Sequence, residues 1–580
     1  MTHRHFKYEG WLYALAFLLA IALRFIKLGA MPLSDAEAAP ALQALQIAQG
    51  LRPALAPYPF YILFTSVLFF VYGSGTDFLA RFIPAFVGSL LVFAPLLFPE
   101  RIRPRVGLIL AFFIALDPGL VALSRQAASP ILAVAFLLFA WGYYTQNKAS
   151  LAGFFAALAL LSGPSIWAGL LAFAIAYGIV QAVNSLRSHK PAESLETIAD
   201  DPATTDHPIA AFDYRISLIS LVATFLIAGT LFFIVPNGLS AALASIPAYI
   251  RTWLTDSNVP ATRLLFSILI YQPLVFLLAM FAIIRGWRTG SSRIIPLSIW
   301  FLVALLLALF NPAHQVIDLV WALIPLLAMA ALELTRNVDI YFEERMEVAG
   351  VIFLTAFIWT FAWLDFSGLV WLPADSREYI MRFWLLIGSL FLLVMSLLLV
   401  AAGWSIRIAR IGGTIGLALV FGVLGFAGAV GAAGLRGQSS PELWWPETLP
   451  AQANLLESTV SDNSQWGLGN NNAAPVMIAG VDSPALEWAL RNHQVNVVKS
   501  LDISSDPYFV ITPLQDNNPA LASAYRGQDF TWRQTPLWNS AQPQDWIRWV
   551  SLRQMPQSGE TIILWVRDDL FLDSAAPKTP

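Results

Sequence analysis

Long apolar runs, each close to the length needed to cross a bilayer, follow one another along most of this chain, with few charged residues inside them. Lipid offers no hydrogen bonds, so such runs can satisfy their backbone only as helices. Of 580 residues, 57% are hydrophobic and 12% charged, against roughly 25% charged in soluble domains. The expected class is an all-α polytopic membrane protein. A spanning helix needs roughly 17–25 residues. On that basis spans fall at 11–29, 80–98, 107–124, 130–146, 150–166, 168–184, 216–235, 264–284, 294–311, 316–334, 349–366, 383–402 and 411–434, about thirteen in all. The first is expected to be an uncleaved helix, because no convincing small-residue cleavage site follows it. Cysteine is absent, which excludes disulfides, thiolate catalysis and Cys-ligated metals. A formal charge of −3 gives no reason to expect a nucleic-acid partner.

Loop charge sets the expected topology. Pro59 to Tyr72 is apolar but only about fourteen residues long, and it opens after Pro57. That length suits an interfacial or re-entrant helix. If it does not cross and the N-terminus is cytoplasmic, sixteen Lys and Arg lie inside and nine outside, the bias expected of membrane proteins. If it crosses, the bias reverses. The expected protein is therefore multi-pass in the cell (plasma) membrane, with an odd span count, a cytoplasmic N-terminus and an extracytoplasmic C-terminal tail.

Two regions fall outside the membrane pattern. Residues 187–213 are polar, with Pro191, Pro202, Pro208 and the Asp200-Asp201 pair, and read as a flexible cytoplasmic linker. Residues 436–580 form a tail long enough for one soluble domain. Strand-like runs at Val476–Ala479, Tyr508–Ile511 and Ile562–Val566 mix with helical signals. Ser483-Pro484 has the form of a helix start, and Gln544–Arg553 also reads as helical. A small α/β domain is expected, following a membrane domain of residues 1–435. The tail holds nine Trp, among them Trp444, Trp445, Trp546 and Trp549. These fit a domain core and interfacial belt, or stacking on an acceptor glycan.

Ser34-Asp35-Ala36-Glu37, in the first outward loop (residues 30–78), sets two carboxylates at the mouth of a spanning helix. A charge in such a place is a functional-site hypothesis. The pattern also matches a capping box for a helix over Ala38–Gln49. Beyond it lie Pro57-Tyr58-Pro59-Phe60-Tyr61 and then Asp77-Phe78-Leu79-Ala80-Arg81-Phe82-Ile83-Pro84-Ala85-Phe86-Val87-Gly88. Over roughly residues 10–145 this order resembles the GT-C superfamily of membrane glycosyltransferases. The likeness is to the protein O-mannosyltransferase and aminoarabinose-transferase type, and within it to the flippase activity-associated protein family.

The resemblance implies a GT-C-like fold and an inverting transferase. Its partners would be a polyprenyl-phosphate-linked (or diphosphate-linked) sugar, membrane lipids and an extracytoplasmic acceptor that is protein, lipid or glycan. Asp35 matches the family's base, with Glu37 as helper. A divalent cation (Mg or Mn) would be held, if at all, by Asp35 and Glu37. Arg81 matches an arginine near the lipid phosphate, where a guanidinium suits bidentate pairing. The chain departs from the family in two places. Ala36 separates two acids that are usually adjacent, and the second outward loop, Ser124-Arg125-Gln126-Ala127-Ala128-Ser129-Pro130, has no acid. Arg125 and Arg263 are further candidates for phosphate. Asp117, in Leu116-Asp117-Pro118-Gly119, is a site candidate or a structural partner of Arg125 or Arg81. His314 contacts substrate or is a solvated loop histidine. Arg24 and Lys27 are read as snorkelling to head groups. Two alternatives to catalysis are a degenerate relative that binds lipid-linked glycan and a secondary transporter.

Overall fold

The computed structural model describes residues 9–99, 102, 104–188, 212–336, 344–437, 440–445, 447–472, 474–502, 505–515 and 521–574. The N-terminal Arg4 and Lys7 and most of the expected 187–213 linker lie outside them. The first helices are α1 (Glu9–Phe25), α2 (Asp35–Ala48), α3 (Pro59–Tyr72), α4 (Asp77–Leu90), α5 (Pro104–Leu116) and α6 (Pro118–Ser124). Then come α7 (Ile131–Thr145), α8 (Ala149–Leu160), α9 (Ser165–Ser188), α10 (Tyr214–Gly229), α11 (Asn237–Thr252) and α12 (Ala261–Tyr271). The membrane part closes with α13 (Pro273–Thr289), α14 (Ile294–Phe310), α15 (Val320–Arg336), α16 (Arg345–Gly368), α17 (Arg377–Gly403) and α18 (Ile406–Ala432).

Among the described residues, six helical stretches are long and apolar enough to cross a membrane alone, or eight if each of two bent pairs is one span. Five more apolar helices are 10–17 residues long. The chain is a multi-pass membrane protein. The segment expected to be short is so: α3 is a 14-residue helix that ends at Gly73, whose φ of 84° is left-handed and suits glycine.

Two expected spans are not straight. The one at 107–124 bends by 58° between α5 and α6, and the one at 264–284 bends by 97° between α12 and α13. Each break precedes a proline, Pro118 or Pro273, which lacks the N–H needed to continue the helix. Freed polar groups inside a bilayer must find partners within the protein, and at the first break side chains supply them. Asp117 Oδ1 accepts the Leu120 N–H at 2.8 Å and so caps α6, while Gln272 Nε2 at the other break donates to Asp117 Oδ2 at 3.1 Å. Arg24 supplies the carbonyls at the end of α5, donating to Ile114 O and Ala115 O at 3.1 Å each. This corrects the snorkelling reading, because Arg24 is fully buried. Arg125 does the same for α1, donating to Leu23 O, Arg24 O, Ile26 O and Lys27 O at 2.9–3.1 Å. A cation at a helix C-terminus also meets the negative end of the helix dipole.

The tail contains α19 (Ala453–Leu468), β1 (Val476–Ala479), α20 (Pro484–Ala489), β2 (Val495–Val498), β3 (Phe509–Pro513), β4 (Tyr525–Pro536), α21 (Pro543–Leu552) and β5 (Gln557–Arg567). Its sheet has the order β2-β1-β3-β5-β4, with β2 and β3 parallel to β1 and β5 antiparallel to both β3 and β4. The α/β expectation holds. Two strands escaped the sequence reading: β2, and β4, whose polar stretch lacks alternation. One face of the tail's sheet has a small cluster of its own, Val510, Tyr525, Ile563 and Trp565, but its main apolar face is shared with the membrane part. Trp444, Trp488, Trp532 and Trp549 belong to the same apolar cluster as the membrane helices. Gly119 is one reason for the fit, since a Cβ there would lie 2.6 Å from the Trp444 ring.

Candidate functional site

The site grows from the N-terminus of α2. Ser34 is the N-cap, and the capping box is complete: Ser34 Oγ accepts the Glu37 N–H at 3.4 Å and Glu37 Oε2 accepts the Ser34 N–H at 3.1 Å. Glu37 is buried and does more than cap. It takes Arg81 in a two-pronged pair, Nε to Oε1 at 2.8 Å and Nη2 to Oε2 at 2.6 Å, and Oε1 also accepts the Ala127 N–H at 2.9 Å. Arg81 spends its remaining donors on Met31 O, Leu28 O and Pro32 O. All five of its N–H groups are thus committed to protein acceptors. The pair joins the first loop, α4 and the second loop into one floor.

Asp35 faces the other way, toward the tail. Its Oδ1 accepts the Ser483 hydroxyl at 2.6 Å and the Ala485 N–H at 3.0 Å, and its Oδ2 pairs with Arg533 of β4. A carboxylate from the membrane part therefore caps α20 of the tail. Nearby, the Trp488 Nε1–H donates to Asp77 at 2.6 Å and the Arg491 Nε–H to Gly75 O at 2.8 Å.

Two cavities meet here. The larger, about 1060 Å³, lies along the seam between membrane part and tail and is lined in part by Asp35, Glu442, Glu447, Glu560, Arg263 and Arg533. The smaller, about 390 Å³, reaches into the membrane part between the first two loops, α9, α11 and α14–α15. Tyr58, Gln126, Asn311 and Gln315 give it polar groups, and Glu37, Asp318 and Glu447 give it acid, with no Lys, Arg or His in its lining. Trp445 and Glu447 line both cavities and form the partition between them. Glu447 Oε2 accepts the Ala36 N–H at 2.7 Å. Partial burial raises its carboxyl above the usual carboxylate range, and the nearby Asp35 and Glu37 add to the rise.

The seven expected site residues thus separate into groups. Asp35 and Arg263 line the larger cavity and Glu37 the smaller. Arg263 bonds Asn539 and lies 5.9 Å from the Trp538 ring centre. Arg81 stands behind Glu37, and Arg125 and Asp117 belong to the helix framework. His314 lines neither cavity; its Nδ1 is 2.7 Å from Asn311 O. Asp35 and Glu37 do not converge on one cation position, since Arg81 closes one and Arg533 the other. Among the described residues, no three His, Asp or Glu are grouped to hold a metal.

The sequence reading missed Glu447, Asp318 and Arg533. Glu447 had a local signal, an acid just beyond the aromatic pair Trp444-Trp445. Arg533 had none, because its partner is 498 positions away.

No family model and no curated protein matches the chain. Among solved structures it is similar to ArnT from Cupriavidus metallidurans bound to undecaprenyl phosphate. The identity is 13%, the TM-score 0.50, and the match covers 87% of this chain and 93% of that one. An oligosaccharyltransferase from Archaeoglobus fulgidus, in complex with Zn and sulfate, is 14% identical over 87% of this chain and 68% of its own, with a TM-score of 0.38, too weak to argue from. What the first likeness shows is the fold: the chain is a membrane protein built like ArnT.

Proposed function

We propose that this protein is a membrane glycosyltransferase, which takes a sugar from a polyprenyl-phosphate or polyprenyl-diphosphate donor and passes it to an extracytoplasmic acceptor. The observation that carries the reading is the pair of adjoining cavities, on a fold whose similar structure holds undecaprenyl phosphate. The larger cavity offers Arg263, whose Nε–H has no partner among the described residues, to an anionic phosphate. The smaller, free of cationic side chains and lined with hydroxyl, amide and carboxylate groups, suits a sugar. In this reading residues 1–435 form the membrane domain and 436–580 the extracytoplasmic domain, with the N-terminus in the cytoplasm.

The roles within the site follow from which side chains are already engaged. Glu37 and Arg81 build the floor, and Asp35 holds the tail over it. Arg125 and Asp117 keep the broken spans in place, and His314 shapes the loop after α14. Inversion is a single displacement, in which the acceptor oxygen attacks the anomeric carbon as the phosphate leaves. No step is assigned to a metal, because the first-loop acids are already paired.

The test is to incubate the purified membrane protein with undecaprenyl phosphate carrying mannose, glucose or galactose, with and without chelator. Donor consumption with release of undecaprenyl phosphate is expected in both arms. A second reading, a lipid-glycan binding protein without turnover, is favoured by one observation: protein donors hold both first-loop acids. Binding of undecaprenyl phosphate without consumption of any donor would establish it. Accumulation of a labelled solute in vesicles would instead point to a transporter.

A further inference from the structure

One carboxylate on the partition is left with an unused oxygen. Glu447 is anchored through Oε2 on the Ala36 N–H, and no hydrogen bond engages its Oε1 among the described residues. Its side chain is exposed to the cavity space, and it borders both the seam cavity and the membrane cavity. The two first-loop acids near this point are occupied, and Asp318, which lines only the smaller cavity, accepts the Gln315 N–H through Oδ2. Glu37 accepts from Arg81, Ala127 and Ser34. Asp35 accepts from Ser483, Ala485 and Arg533. An ion-paired carboxylate is a poor proton acceptor, because its neighbour's charge favours the deprotonated form.

We infer that Glu447 is the general base of the transfer proposed above, on which this inference rests. The step balances as follows. The acceptor hydroxyl gives its proton to Glu447 Oε1, and its oxygen bonds to the anomeric carbon. The bond from that carbon to the donor phosphate oxygen breaks, and its electron pair leaves with the polyprenyl phosphate. The anchoring bond to Ala36 ties the base to the rigid N-terminus of α2. Placement on the partition lets it reach an acceptor entering from the seam while the sugar sits below. Burial, which raises its carboxyl, also brings its basicity nearer to neutral pH, where a general base works best.

A purely structural Glu447, present only to cap α2, makes a different prediction. Glu447→Gln keeps an oxygen that can accept the Ala36 N–H, yet it cannot take a proton. In the full-length protein, with the undecaprenyl-phosphate sugar that the wild type consumes, Glu447→Gln is expected to lower kcat by about 100-fold or more. The donor KM and the binding of undecaprenyl phosphate stay within about threefold, since the variant spares the binding groups and threefold is under 1 kcal/mol. In Glu447→Ala, added formate is expected to restore part of the lost rate. A kcat for Glu447→Gln within about threefold of wild type would overturn the inference, as would a parallel loss of undecaprenyl-phosphate binding. If Asp35→Asn abolished turnover with the tail as protease-resistant as in the wild type, while Glu447→Gln kept it, the base would be Asp35 and the inference would fall. Should the wild type consume no donor at all, the glycosyltransferase reading fails with it, and that result appears before any variant is measured.

Discussion

Asp35 and Glu37 are two residues apart on one helix and carry the same group, yet they belong to two different regions. Glu37 lies in the floor of the membrane part, where side chains of its pair with Arg81 are 5% and 1% exposed. Asp35 lies on the seam with the tail, where it and Arg533 are 22% and 24% exposed. Desolvation makes the difference. A buried charge must keep its partner because the alternative is an uncompensated ion in a poor solvent, whereas a pair that water can reach loses little when broken. The floor is therefore expected to be rigid, and the seam able to open.

The largest effect is expected in the floor. Arg81→Met strands the Glu37 carboxylate and should cost about 3–5 kcal/mol, measured as a lowered unfolding temperature in detergent; an unchanged temperature would break the comparison. Arg125→Leu comes next. It takes the side-chain donor from four carbonyls at the end of α1, of which Lys27 O keeps the Ala30 N–H, and about 2–3 kcal/mol is expected from that loss. On the seam, Asp35→Asn should cost only about 1 kcal/mol. It should show instead as faster protease cleavage within residues 476–567 while the membrane part stays intact. The smallest effect sharpens the contrast by pH. Burial lowers the His493 pKa in the tail below its usual 6.5, against the pull of Glu457. The unfolded tail then binds the proton more readily, so this stabilisation is complete above pH 6.5 and declines as pH falls below it. Protease sensitivity of the tail should rise below pH 6.5, and less so in His493→Gln.

Much of the local structure was legible because its causes are local. The length of α3, the proline start of α20, strand β1 and the Ser34–Glu37 capping box all follow from residues within a few positions of one another. The breaks at Pro118 and Pro273 were half legible. The prolines stand in the sequence, but an apolar run continues across each, and only tertiary partners decide that the helix stops. The site was least legible. Glu447 meets Ala36 across 411 positions and Arg533 meets Asp35 across 498, and no periodicity reaches that far. The matching of Asp35 and Arg81 to a family pattern named one residue that lines the larger cavity and one that stands behind the smaller. Which oxygen is left unused depends on partners that the pattern does not contain.

The bond between Asp117 and Gln272 has a consequence for how the chain is made. The two side chains are 155 positions apart, so a ribosome delivers the first broken helix to the bilayer well before the second exists. During that interval Asp117 lacks its partner and the break at Pro118 depends on Arg24 and α6 alone. The break at Pro118 is therefore expected to gain its last side-chain contact only when Gln272 arrives.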